Sequence, residues 1–370
     1  MTRLPTIRFL HSVLSLGVLL LAFCSAGTVA RAEADHGAVA EAALTKVIRP
    51  GYDAFAADAA TLAAKTAVLC TDPSHKSLAD ARAAFVQAVK GWSAVENFQF
   101  GPVNHEHRYE RLFFWPDRKG LGYRQVQRAL SDKDESVTSV ETLAKKSVAL
   151  QGLPALEILL YGKGSDALAS RGDDAVFRCR FAAAAAGNIA QLSKDLVQAW
   201  APGAPFTKSF LEPEPDGALY RAPKDVTLEL FKAFSGGIER VRDQKLGRVL
   251  GESAKRSRPR LAAFWRSGQT FPNMAGNLRS VRALFVDGGF AGIVADQSPG
   301  VEDSILFDLN HSIDVLAAET EPVAEAVTDP EQRGKLEALR VGLKSANTTA
   351  SGLIAEGAGL SFGFNAGDGD

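Results

Sequence analysis

Cysteine and histidine are scarce in this chain, with three and six among 370 residues, and neither sign of charge prevails, with 42 Lys and Arg against 43 Asp and Glu. Three of the arginines, Arg3, Arg8 and Arg31, fall in the first 32 residues, so the remainder is mildly acidic. That balance gives no electrostatic reason to bind nucleic acid or an anionic membrane. Beyond the N-terminal segment no apolar run reaches the roughly 18 residues that suggest a membrane span. A Gly-rich phosphate loop and a Gly-x-Ser-x-Gly nucleophile elbow are also missing. The zinc-peptidase signature His-Glu-x-x-His places two imidazoles one turn apart on a helix. It is narrowly missed, because His105-Glu106-His107-Arg108 ends on Tyr109.

What is there begins with a secretory signal. Arg3 and Arg8 form a basic start, Val13 to Phe23 is a short apolar run, and Ala30-Arg31-Ala32 supplies small-x-small cleavage residues. Residues 1–32 are read as a signal peptide, which makes the protein exported and periplasmic. The bulky Phe23 directly before Cys24 disfavours lipid attachment there. Of the other two cysteines, Cys70 and Cys179, an exported chain makes a disulfide the simplest reading and two free buried thiols the alternative.

Helical periodicity runs through the rest. Leu44, Ile48, Tyr52, Phe55 and Leu62 recur at helix spacing, interrupted by Pro50-Gly51, and Leu78, Phe85, Val89, Trp92 and Val95 mark a second helix. Further helices are expected over Gly122 to Leu130, Ser136 to Lys146, Asp174 to Trp200, Asp225 to Leu250, Met274 to Val286, Asp303 to Ala318 and Pro330 to Ala355. The last opens on Asp329 as N-cap and Pro330 in its first turn. No strand pattern appears, so the class is all-α. The Pro-rich segment 212–223 reads as a linker between an N-terminal bundle, residues 33–211, and a C-terminal bundle, residues 224–370. A faint echo supports two halves: Phe114-Trp115 followed by Arg128-Ala129-Leu130, and Phe264-Trp265 followed by Arg282-Ala283-Leu284.

Carboxylates carry the most chemical interest. Gln151 to Gly162 is an apolar run with one charge, Glu157, and Glu96 lies in a similar setting. A carboxylate taken into a core costs on the order of several kcal/mol unless it is paired, hydrogen-bonded or bound to a cation. Two inward carboxylates from different helices are how bundles build metal sites. Arg108, Arg111 or Arg118 could equally neutralise them. His107 and Glu110, three apart, would share a helix face and take a divalent cation, or form a solvated charged turn. The basic cluster Lys255 to Arg260 is either solvated surface or a partner for anions.

Together, Trp92 through Glu96 to Phe100-Gly101-Pro102, Trp115-Pro116-Asp117, Gly152 to Glu157, and the terminal Gly363-Phe364-Asn365 with Asp368-Gly369-Asp370 resemble the imelysin-like family, the peptidase M75 or iron-regulated protein A group. The resemblance implies two helical, four-helix-type bundles with a site in the groove between them and a role linked to iron uptake. The family's Gly-x-His-x-x-Glu frame reads Gly152-Leu153-Pro154-Ala155-Leu156-Glu157 here, as in a branch with proline for histidine. Proline can neither ligate a metal nor shuttle a proton, so a non-catalytic protein is expected and a metal-dependent peptidase is the alternative. The expected binding residues are Glu157, Glu96, Gly152, Trp115 and Asp117; the expected metal ligands are Glu157, Glu96, His105, His107 and Glu110. The expected partner is iron or another divalent metal, an iron complex, or another cell-envelope protein, for which this chain would act as a scaffold.

Overall fold

Alanine, leucine and long polar side chains fill the segments between turns, and these residues lose little on entering a helix. Every regular element among the described residues is helical. The computed structural model describes residues 34–360. The expected signal peptide, Cys24 and the Gly363 to Asp370 stretch lie outside them.

The first helix spans His36–Thr71. Pro50 has no N–H to donate, and its ring crowds the carbonyl one turn back. The helix answers by widening into a π turn over Leu44–Ile48 and then continuing, so the interruption expected at Pro50-Gly51 is a local bulge. His75–Val95 follows, opened by a capping box of Ser74 and Ser77. The single helix expected over Ser136 to Lys146 is instead two short pieces, Glu135–Val137 and Val140–Leu143. Asp134 and Ser139 cause the break by accepting from the N–H groups of Ser136 and Thr142, each starting a new turn. Asp329 caps the last long helix, Pro330–Gly357, by accepting from the N–H groups of Glu331 and Gln332.

His36–Thr71, His75–Val95, Gly152–Tyr161 and Asp173–Ala199 pack as one four-helix set, and Pro223–Glu239, Thr270–Val286, Val301–Ala318 and Pro330–Gly357 as another. Trp92, fully buried, sits in the first set against Phe55, Tyr109 and Phe113. Burial of a large side chain of this kind is worth roughly 1.5–3 kcal/mol.

The two sets interlock. His36–Ala43 packs on Pro223–Glu239, with His36 Nδ1 3.0 Å from Thr227 Oγ1, and His75–Val95 crosses Thr270–Val286. That crossing is tight at Gly276, where a Cβ would stand 2.5 Å from the Cβ of Ser93. The described residues accordingly fall within one compact unit.

Cys70 and Cys179 form a disulfide, with Cα atoms 5.4 Å apart and a sequence separation of 109. It ties the end of the first helix to the start of Asp173–Ala199, which fits an exported protein. The long loop it closes is a large restriction on the unfolded chain. Replacing both cysteines by alanine is expected to lower unfolding free energy by about 2–5 kcal/mol in urea titrations; an unchanged midpoint would show that the cross-link contributes nothing.

Candidate functional site

Gly152 sets the site's geometry. It has φ of +72°, and a Cβ there would lie 2.3 Å from the Leu112 carbonyl oxygen, so only glycine fits. Gln151, just before it, is held by Arg111 Nε (3.2 Å) and Asn188 Nδ2 (2.9 Å) at its Oε1 and donates to the Lys146 carbonyl. Arg111 is therefore committed to this turn and neutralises neither glutamate. The helix Gly152–Tyr161 starts from this anchor, with Pro154 in the first turn, where its missing N–H has no intrahelical acceptor to serve.

One turn on, Glu157 is buried, at 3% exposure. Its Oε1 accepts from the backbone N–H of Ser267 at 2.9 Å and from the Ser267 hydroxyl at 2.8 Å. Burial raises the carboxyl above its ordinary range; the Ser267 hydrogen bonds and the Arg266 charge pull the other way without cancelling it. Ser267 is presented by a bend in which Phe264 takes a left-handed φ of +57°. Packing of the Phe264 ring on Phe113 and Phe85 holds that unfavourable conformation.

Glu157 lines a narrow cleft of about 110 Å³ between the segments 113–123 and 149–158 on one side and 260–266 on the other. Trp115, Asp117, Pro154, Trp265 and Arg266 line it too. The repeated Phe-Trp pairs thus meet here, both Phe114-Trp115 and Phe264-Trp265 contributing wall. Trp115 Nε1 donates to the Leu261 carbonyl at 3.0 Å, tying one wall to the other. Asp117 accepts from the N–H groups of Leu121 and Gly122 with separate oxygens, at 2.7 and 2.8 Å, capping Leu121–Ser131. The Arg266 guanidinium lies 4.3 Å from the Trp265 ring centroid and 5.3 Å from that of Tyr123.

Glu96 is elsewhere. It is fully buried, and its partner is Lys245, also fully buried, with Nζ 2.7 Å from Oε1 and 2.9 Å from Oε2. Asn273 and Asn277, one turn apart on Thr270–Val286, give Nζ their Oδ1 atoms at 2.5 and 2.6 Å and donate to Glu96 Oε2 at 3.0 and 3.1 Å. Burial opposes the Glu96 charge, yet Lys245, Arg240 and Asn273 outweigh it and hold the carboxyl below its usual range. Burial likewise lowers Lys245, to about 8, against the pull of Glu96.

Several expectations are corrected by this geometry. Glu96 does not join Glu157 in the cleft: it does not line that cavity, and its carboxylate is paired with the Lys245 ammonium. Arg108 does not neutralise it either, since that side chain turns to the Pro102 carbonyl. His107 has φ of +56° and precedes the helix Arg108–Leu112, so it shares no helix face with Glu110. The pair is 4.0 Å apart and exposed, a solvated turn. His105 borders a different cavity, with Phe100, Phe206 and Tyr220. Sequence reasoning missed Lys245, Asn273, Asn277 and Ser267. Lys245 had a signal, lying four residues after Val241 and four before Val249, both buried, on the apolar side of its helix.

The raised Glu157 carboxyl has a pH consequence. The folded protein binds that proton more tightly than the unfolded chain does, so the associated stability is full below the unfolded value and is lost as pH rises through the folded one. Glu157→Gln keeps an acceptor for Ser267 without the charge. Urea unfolding from about pH 4 to about pH 8 is expected to show the wild type falling steadily behind the variant; a pH-independent difference would contradict it.

The imelysin (peptidase M75) family profile matches residues 48–349. Among solved structures, an imelysin-like protein from Psychrobacter arcticum 273-4 has 18% identity and a TM-score of 0.72, covering 89% of this chain and 97% of its own. A protein described as an iron-regulated protein A precursor, from Parabacteroides distasonis ATCC 8503, has 14% identity and a TM-score of 0.74 with the same coverage. No curated protein matches in sequence. At these identities the structures speak for the fold alone, whereas the profile spans most of the chain: this protein belongs to the imelysin family.

Proposed function

We propose that this is an exported, periplasmic, non-catalytic imelysin-family protein of iron acquisition, and that it binds an iron complex at the Glu157 cleft. The observation that carries the reading is the convergence of Glu157, Trp115, Trp265 and Arg266 on one cleft between the two helical sets. A buried carboxyl with a raised proton affinity can donate to a ligand oxygen, tryptophan rings offer flat apolar walls, and a guanidinium offers a paired donor edge. Export is supported by residues 1–32 and by the disulfide, and the iron link by the description of the Parabacteroides neighbour.

A resident metal ion fits these residues poorly. Pro154 stands where the family frame has histidine, both Asp117 oxygens hold backbone N–H groups, and Arg260 and Arg266 add positive charge to the cleft. No group of three or more His, Cys, Asp or Glu side chains suited to a metal is gathered among the described residues. Iron already held by other ligands answers this better than the bare ion. Its small volume admits one arm of such a complex, leaving the rest outside.

The test is a titration of the purified exported protein with ferric chloride, ferrous sulfate and ferric citrate, read by calorimetry and tryptophan fluorescence. Saturable binding of the ferric complex, weakened about tenfold by Glu157→Gln, is the expected result. Identical isotherms for the two proteins would overturn the proposal. Binding of the bare ions alone would move it to a metal site, and chelator-sensitive cleavage of a protein substrate, abolished by Glu157→Gln, would establish the peptidase alternative.

A further inference from the structure

A second and larger cavity, of about 650 Å³, borders the first at Leu261. Its charged lining is Arg118, Arg248, Arg256 and Arg258 against the single acid Glu252. Glu252 is already engaged, since Arg256, four residues on, forms an ion pair with it. Among the described residues, Arg118, Arg248 and Arg258 meet no acidic partner. Arg248 Nη1 is enclosed and has no hydrogen-bond acceptor, and both burial and the neighbouring Arg118 depress that guanidinium's proton affinity. Like charges gathered without counter-charge repel one another, and an enclosed donor without an acceptor costs free energy.

The walls are built rather than incidental. The helix that carries Lys245 ends at Leu250, and Arg333, buried, takes the last carbonyls: its Nη1 donates to Leu250 at 2.8 Å and its Nη2 to Gly251 at 3.2 Å. Gly251 then turns the chain at a φ of +61°, where a Cβ would meet the Arg256 carbonyl oxygen at 2.4 Å. The return strand of loop is fastened by Arg258, whose N–H donates to the Val249 carbonyl at 2.8 Å. These contacts place Arg248, Arg256 and Arg258 around one concavity, and the turn after Pro116 adds Arg118 from the other helical set. The volume lies in the range of small-molecule sites, roughly 300–1,000 Å³.

We propose that this arginine-lined cavity is a binding site for a small multivalent oxyanion, a polycarboxylate or a phosphate, distinct from the Glu157 cleft. Guanidinium groups suit such ligands because their planar N–H forks match carboxylate and phosphate oxygens in pairs. Two or more negative charges on the ligand would compensate the three unpaired arginines and supply the acceptor that Arg248 Nη1 lacks.

The probes are iron-free citrate and inorganic phosphate, titrated by calorimetry into the purified exported protein at low and high chloride. Saturable binding of either, weakened by salt and reduced about tenfold or more by Arg248→Gln and by Arg118→Gln, is the expected result. Arg118 is exposed, so its variant tests the site without disturbing the core, and circular dichroism confirms the fold of both. Glu252→Gln, which releases Arg256, is expected to tighten binding. Citrate preferred over phosphate identifies the ligand as a polycarboxylate, and the reverse preference identifies it as a phosphate. Absence of saturable binding by either probe, or binding that survives both arginine substitutions, would overturn the proposal. The two sites are read by different substitutions, Arg248→Gln and Arg118→Gln here and Glu157→Gln in the cleft, so the arginine cavity and the iron-complex reading stand or fall independently.

Discussion

The Glu96–Lys245 pair is the constraint on which the rest of the arrangement depends. It joins the end of His75–Val95 in one helical set to the helix leading out of Pro223–Glu239 in the other, and both side chains are fully buried. Burying two charges is costly, and their attraction offsets that cost only when the remaining lone pairs and protons are also satisfied. Asn273 and Asn277 meet much of that condition by serving Lys245 Nζ and Glu96 Oε2 at once, while Glu96 Oε1 faces the ammonium alone, and Ser93 anchors the amide of Asn273 at 2.8 Å. An apolar pair of similar volume would avoid the desolvation cost altogether, so the network is weak evidence of added stability, whereas removing one member alone leaves a buried charge without its partner.

The cleft inherits this geometry. Lys245 Nζ lies 5.5 Å from the Phe113 ring centroid and 5.7 Å from that of Trp115, and both rings belong to the cleft wall. The ammonium therefore supports the wall from behind while Glu157 faces the opening from the adjacent helix. Two buried glutamates have opposite roles for a physical reason. Glu96 has a full counter-charge and is held ionised, whereas Glu157 has a serine and a more distant arginine and is pushed toward its protonated form. A buried carboxyl left incompletely compensated costs the fold, and such costs gather where a protein binds or reacts.

Much of this was legible in the sequence. Helix positions follow from apolar periodicity and from caps such as Asp329, and Glu157 stood out as a charge in an apolar run. Gly152 could be singled out, but the reason, a Cβ meeting the Leu112 carbonyl, is a tertiary fact. The Glu96 partner was easily passed over because Lys245 sits among Arg240, Arg242 and Asp243, a stretch that reads as solvated surface, and only its spacing from Val241 and Val249 marks the buried side of the segment Arg240–Gly247. For His107 and Glu110 the shared helix face fails and the alternative, a solvated charged turn, holds, because spacing along a sequence implies a shared face only if both residues are helical, and His107 is left-handed. For the basic cluster Lys255 to Arg260 the sequence left solvated surface and anion pairing both open, since it shows neither the concavity nor the absence of acids around Arg248 and Arg258.

The central claim is that Glu96 and Lys245 act as one interlocked unit, which a double-mutant cycle on unfolding free energy tests most directly. Glu96→Gln and Lys245→Met are each predicted to cost about 3–5 kcal/mol, because each strands a buried charge. The double variant is predicted to cost much less than their sum, with a coupling energy of about 2 kcal/mol or more. Additive single costs would contradict the account, and would return Glu96 to the list of carboxylates free to bind a cation.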